Sequence, residues 1–337
     1  MSGGTDKAVV DVHTHFLPAD VVQAASFETP DVGYRVRIAD EDGNELFAAS
    51  GNASGFELAQ LVDPVRRIED MRRMGVTRQV LSVPPPFGFF HTQEPDLALA
   101  LCRRLNDGVA QVVRAHPDQF IGMATLPMHH PKLAADEMAR AVEDLGLSGA
   151  EIATRIGPRN LDDPVLRPFF EAAQDLSAPV FVHSTRGLGA DRLAAYHLGN
   201  LIGNPTEDAI ASASLIFGGV LDAYPGLRIY LAHGGGSCAF LAGRWDRGWQ
   251  VRPEAREHLP AAPSTYLRRL AFDSLTHGDA QLGFLLGQAG ASQVMLGTDY
   301  PYDMGEPDPV ARIAAQAMTD ADRDRVLGGN AAAMFGF

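Results

Sequence analysis

Eight short runs rich in β-branched and other apolar residues, bounded by turn residues and mostly separated by stretches of helical periodicity, constrain this chain more than any other feature. They cover residues 9–13, 78–83, 120–126, 149–154, 179–184, 228–233, 270–275 and 294–299. The helical stretches between them include 65–75, 97–116, 132–145, 165–176, 206–224 and 280–289. Strands joined through helices run parallel, because each crossover returns the chain to the same end of the sheet. Eight such units predict an α/β chain closed into a (β/α)₈ TIM barrel.

A length of 337 residues suits one barrel, so 1–337 is read as a single unit. Between the first strand and the first helix lies 18–62, rich in Gly, Ser and Asn with a short β-like piece at 34–38. It holds too few apolar residues for a core of its own and is expected as a small insertion, a lid over the barrel mouth. Pro84, Pro85 and Pro86 end the second strand and start a stiff loop, a candidate pocket wall.

Hydrophobic residues at 46% supply ample apolar surface for a core, and charged residues at 21% give no sign of disorder. The net charge of −14 argues against nucleic acid or an anionic membrane as partner, since both attract basic surfaces. It also means that an anionic substrate must be met by a local arginine or a metal. Cys102 and Cys238 form no CxxC pair, which points away from a disulfide framework and a thiolate zinc site and towards the reducing cytoplasm. The start of the chain reads as having no signal peptide, and the apolar stretch 209–221 is too short and too broken by Ser and Gly to span a membrane.

Active sites of such barrels lie at the C-terminal ends of the strands. His13, His183, His233 and Asp299 all fall at predicted strand ends, with His15 two residues beyond His13. Strand residues at i and i+2 point to one side, so both rings of the His-Thr-His run can reach one ion. Imidazoles and a carboxylate suit zinc with a position left open. Only Lys7 and Lys132 occur, and neither lies at the end of the fourth strand, where Glu151 and Thr154 stand instead. Without a lysine there to bridge two ions, one metal is expected.

His233 opens a His-Gly-Gly-Gly-Ser run and is read as the general acid/base, with a fifth metal ligand as the alternative. Arg244, eleven residues later on a predicted helix with Trp245 and Trp249, is either a substrate-carboxylate clamp or a solvated charge. Tyr196 and Tyr302 either line the pocket or pack, and His277, just past the seventh strand, is a further candidate for contact with substrate.

These residues sit in motifs that together resemble the aminocarboxymuconate-semialdehyde decarboxylase-like branch of the amidohydrolase superfamily, nearly end to end. The likeness is carried by Asp11-Val12-His13-Thr14-His15-Phe16 with Pro18, Asp63-Pro64 with Arg67-Ile68-Glu69-Asp70-Met71, Phe87-Gly88, and Arg104-Leu105-Asn106-Asp107. Further matches are Leu161-Asp162-Asp163, the His183 strand, His233 to Ser237 continuing to Gly243-Arg244, and Leu296-Gly297-Thr298-Asp299-Tyr300-Pro301.

The resemblance implies a mononuclear zinc decarboxylase with ligands His13, His15, His183 and Asp299, and with His233 activating the metal-bound water. It also implies a homodimer in which Arg244 reaches the neighbouring pocket to hold a carboxylate. One departure bears on substrate: no Arg stands between Arg37 and Arg66, and Gly55 or its neighbours fall where the branch's muconate-semialdehyde enzymes carry a second substrate arginine. Tyr196 and Tyr302 replace a pocket tryptophan and phenylalanine.

The expected activity is therefore zinc-dependent, non-oxidative decarboxylation of a small unsaturated or hydroxyaromatic carboxylic acid. The main alternative is a mononuclear zinc hydrolase acting on an amide, lactone or C–C bond at the same site, and a metal-free scaffold is a third reading.

Overall fold

The computed structural model describes residues 8–24, 33–39, 42–52, 55–85, 87, 94–185 and 192–337. Gly88, Pro86 and parts of 18–62 lie outside them. Eight parallel strands follow one another in chain order: β1 Val10–His15, β2 Arg78–Ser82, β3 Phe120–Thr125, β4 Gly149–Ala153, β5 Val180–His183, β6 Ile229–Leu231, β7 Ala271–Asp273 and β8 Val294–Met295. The sheet is a (β/α)₈ TIM barrel, as the alternation predicts.

Closure is made by the segment after β8. Val12 N–H donates to the Leu296 carbonyl at 2.9 Å, Asp299 N–H to that of His13 at 2.8 Å, and His15 N–H to that of Tyr300 at 2.8 Å. The first strand therefore holds Asp299 in place through its own main chain.

Helix faces follow their sequence patterns. Helix Pro95–Ala115 buries Ala98, Leu101, Leu105 and Val109, spaced three or four apart along one stripe. Helix Pro64–Met74 starts where Asp63 accepts from the Val65 N–H and Pro64 occupies the first turn. The long helix expected at 206–224 is instead Asn204–Phe217 and Val220–Ala223. Gly219 adopts φ +70, a left-handed turn that ends the first helix before the second begins.

The last three strands are shorter than expected, because their C-terminal residues leave the ladder to turn into the mouth. His233 lies in a turn of 3₁₀ helix with φ +53, and Asp299, with φ +62, lies four residues beyond β8. In β1 the register slips between Asp11 and Thr14. Val10 and Val12 join the apolar plug inside the barrel with Val80, Met123, Phe181 and Tyr230, while the His13 ring stacks edge-on above Phe181 at 5.0 Å. A strictly alternating strand would send Val12 and His13 to opposite faces, and the bulge removes that conflict.

Within the insertion, Val22–Ala24, Gly33–Ala39 and Glu45–Asn52 form an antiparallel sheet. Tyr34, Val36 and Ile38 alternate inward and belong to the same buried cluster as the residues outside the barrel. Among the described residues no helix is long and apolar enough to cross a membrane.

Candidate metal centre

His13, His15, His183 and Asp299 converge at the C-terminal rim. One ligand atom from each lies within 4.8 Å of all the others. Asp299 Oδ1 is 3.3 Å from His13 Nε2 and 3.0 Å from His15 Nε2. Among the described residues, these three atoms and His183 Nε2 are buried with no hydrogen-bond partner. Buried polar atoms left open in this way cost free energy unless something else satisfies them.

The opposite edge of each ring is occupied. His13 Nδ1–H donates to Asp273 Oδ2 at 2.5 Å, and His183 Nδ1–H donates to the Ser184 carbonyl at 2.8 Å. Carboxylate and carbonyl oxygens only accept here, so the proton sits on Nδ1 and the Nε2 lone pair faces inward. His15 Nδ1 has Ser82 Oγ at 3.4 Å. Three imidazole lone pairs and one carboxylate oxygen therefore form a site that fits a divalent transition metal.

The electrostatics favour neutral imidazole at two of the three rings, His15 and His183. Burial pushes His183 well below its usual pKa, helped by the neighbouring histidines, and pushes His15 down to about 4 against the pull of Asp299. Burial acts the same way on His13, but Asp299 and Asp273 outweigh it and raise His13 to about 9. Burial alone would raise Asp299, yet His13 and the other rings hold it well below the usual carboxylate range.

His233 stands beside this cluster, with Nε2 3.9 Å from Asp299 Oδ2. Its Nδ1–H faces Asp208 Oδ2 at 2.9 Å. Burial disfavours the imidazolium, but the Asp208 carboxylate outweighs it and lifts His233 well above its usual value. Burial also raises Asp208, with His233 opposing. Imidazole is the stronger base of the two, so the shared proton stays on His233.

Glu151, inside the barrel on β4, is buried with neither carboxylate oxygen in a well-formed hydrogen bond among the described residues. Burial lifts its pKa to about 8, against weaker pulls from Ser82 and His13.

A cavity of about 490 Å³ opens beside His233 and Asp299. Its walls include Leu201, Phe240, Leu275 and Phe284, with polar groups from Asn204 and His277. Among the described residues that line it there is no Arg or Lys. His277 thus reaches the expected pocket, from an exposed position with φ +58. Tyr302 packs its ring on His15 at 5.4 Å and on Phe56 at 5.6 Å, and lines a cavity that, among the described residues, shares no wall residue with the first.

Tyr196, 87% exposed, and the exposed Arg244 do not line the cavity beside His233 and Asp299. On helix Cys238–Val251, Arg244 lies one turn after Phe240, which is 79% exposed at the cavity edge. At Gly55 a Cβ would fall 2.4 Å from the Cβ of Asp303, so an acidic side chain fills the space beside this position.

Sequence reasoning passed over Asp273 and Asp208. Asp273 carries a signal, since it ends β7 at the rim. Asp208 carries none, because its role depends on how helix Asn204–Phe217 lies across the mouth.

The family described as Amidohydrolase matches residues 10–337. The chain is 40% identical over 277 residues to the 2-amino-3-carboxymuconate-6-semialdehyde decarboxylase of Dictyostelium discoideum, covering 81% of this chain and 77% of that one. It is 30% identical over 293 residues to the gamma-resorcylate decarboxylase of Rhodococcus jostii, covering 80% of this chain and 86% of that one. The crystal structure of dihydroxybenzoic acid decarboxylase from Polaromonas sp., with bound manganese and the inhibitor 2-nitroresorcinol, superposes with a TM-score of 0.78 at 25% identity, covering 98% of this chain and 97% of that one.

Proposed function

Because the chain belongs to the amidohydrolase family, in its aminocarboxymuconate-semialdehyde decarboxylase-like branch, we propose that it is a metal-dependent, non-oxidative decarboxylase of a small unsaturated or hydroxyaromatic carboxylic acid. The observation that carries this reading is the convergence of three unpartnered Nε2 atoms and Asp299 Oδ1 beside His233, whose ring is held by Asp208. The relatives above are decarboxylases, which favours this chemistry over hydrolysis at the same residues.

In this reading His13, His15, His183 and Asp299 hold one ion, zinc by donor set, with manganese the metal bound in the Polaromonas structure. When bound, a divalent cation supplies Lewis-acid stabilisation for the negative charge that builds as carbon dioxide leaves. The apolar walls from Phe240 and Phe284 hold a planar substrate and keep water from it. The carbon–carbon bond to the carboxylate breaks, its electron pair stays on the substrate carbon, and His233 delivers its Nε2 proton to that carbon. Asp208 keeps that proton available and fixes the ring that carries it.

His277 and Asn204 meet polar substituents at the cavity edge, and Tyr302 braces His15. The exposed helix surface carrying Phe240 and Arg244 is assigned to a second copy of the chain, with Arg244 entering the partner's cavity. The 18–62 insertion acts as a lid, its Phe56 resting on Tyr302. Two buried, unpaired thiols accord with the cytoplasm.

The test is incubation of metal-replete protein with a panel of hydroxybenzoates and unsaturated acids in heavy-oxygen water. Carbon dioxide release without label in the organic product supports the reading. Label in the product without carbon dioxide supports the hydrolase, and neither from any acid defeats the proposal.

A further inference from the structure

One buried carboxylate grips both the metal site and the proton donor. Asp273 Oδ2 accepts from His13 Nδ1–H at 2.5 Å and from the His233 main-chain N–H at 2.9 Å. Its Oδ1 accepts from the Gly234 N–H at 2.7 Å and the Leu275 N–H at 3.1 Å. Four donors saturate the acceptor sites of a carboxylate.

The turn it holds is one a chain adopts reluctantly. His233 has φ +53, and Gly234, Gly235 and Gly236 follow with positive φ. A non-glycine residue keeps such a conformation only where its surroundings impose it. Here the imposing bonds come from the carboxylate that also fixes the His13 tautomer.

We propose that Asp273 is a positioning residue that couples the two functions: loading of the ion by His13 and placement of His233 beside it depend on the same side chain. The consequence for turnover rests on the function proposed above, whereas the coupling stands on the hydrogen bonds alone. Asparagine at this position keeps the shape but turns one acceptor oxygen into a donor. If Oδ1 stays with Gly234 and Leu275, the new amide group faces two N–H groups. Relief then requires the His13 proton to move to Nε2, the atom aimed at the ion, or the His233 turn to loosen.

The experiment titrates Mn²⁺ into metal-stripped wild-type and Asp273→Asn protein against a competing chelator. Amide hydrogen exchange at residues 233–236 is followed in both, with and without Mn²⁺. The asparagine variant is expected to bind Mn²⁺ about 10- to 100-fold more weakly and to exchange these amides faster. In wild type, Mn²⁺ slows exchange at 233–236 although none of these residues is a ligand. A His233→Gln variant, lacking the imidazole but not the main-chain bond, keeps its Mn²⁺ affinity. A merely structural Asp273 would lower the melting temperature and leave Mn²⁺ affinity unchanged in the folded protein. Unaltered affinity in Asp273→Asn, or wild-type exchange at 233–236 indifferent to Mn²⁺, overturns the proposal. Should the variant not fold, the wild-type comparison decides. Neither readout uses turnover, so failure of the decarboxylase reading would leave both intact.

Discussion

Asp208 Oδ2 lies 2.9 Å from His233 Nδ1, on the edge of the ring turned away from Asp299. That contact joins a helix of the barrel mouth to the turn after β6 and raises the imidazole's affinity for its proton. Asp208→Asn removes the charge and keeps the shape. It is expected to lower kcat by about 100-fold and to shift the His233 titration to lower pH. Metal content stays the same, because Asp208 touches no ligand atom in the cluster. Steady-state kinetics across pH, beside elemental analysis, check both halves.

Arg244 gives a test of assembly. Arg244→Ala and His233→Asn chains are each expected to be inactive alone. If Arg244 serves the neighbouring cavity, a mixed dimer contains one intact site, so co-produced chains recover about a quarter of wild-type activity under random pairing. No recovery would place Arg244 in its own chain's chemistry or outside it.

Glu151 predicts a pH dependence of stability in the metal-free protein. Its folded pKa, raised by burial to about 8, exceeds the ordinary glutamate value of 4.5. Between these values the folded state binds more protons than the unfolded state, so this group's contribution falls as pH rises through the window. Glu151→Gln removes that loss. The variant should melt close to wild type at pH 5 and above it at pH 8, by calorimetry on metal-stripped samples; a variant that melts lower at pH 8 contradicts the account.

Gly236 predicts a backbone effect. It has φ +61, and a Cβ there would lie 1.9 Å from the Pro205 carbonyl oxygen. Gly236→Ala should destabilise the fold by about 2 kcal/mol or more, displace the His233 turn and reduce activity beyond what the melting temperature explains. Denaturant unfolding with parallel kinetics measures both.

The barrel was legible because period-2 and period-3.6 patterns alternate so regularly that each of β1 to β8 falls within or beside its expected run. The ligand set was legible for a related reason: parallel strands share one C-terminal rim, so polar residues closing separate runs must meet there. What escaped was set by tertiary contacts. The β-bulge that puts Val12 and His13 in one interior has no local signature, and the partner of His233 lies 25 residues away on a helix whose placement depends on packing. Asp273 ends its strand at the same rim as the ligands, yet its value comes from which four donors surround it, and these come from β1 and from the turns after β6 and β7.

The central claim, that four convergent side chains make a one-ion decarboxylation site, is tested most directly by returning metal to the stripped protein while recording carbon dioxide release. With an active hydroxyaromatic acid, the rate should rise with added Zn²⁺ or Mn²⁺ and break at one equivalent per chain. His183→Ala should stay silent over the same range. Full carbon dioxide release before any metal is added, or restoration of His183→Ala at one equivalent, would contradict the account.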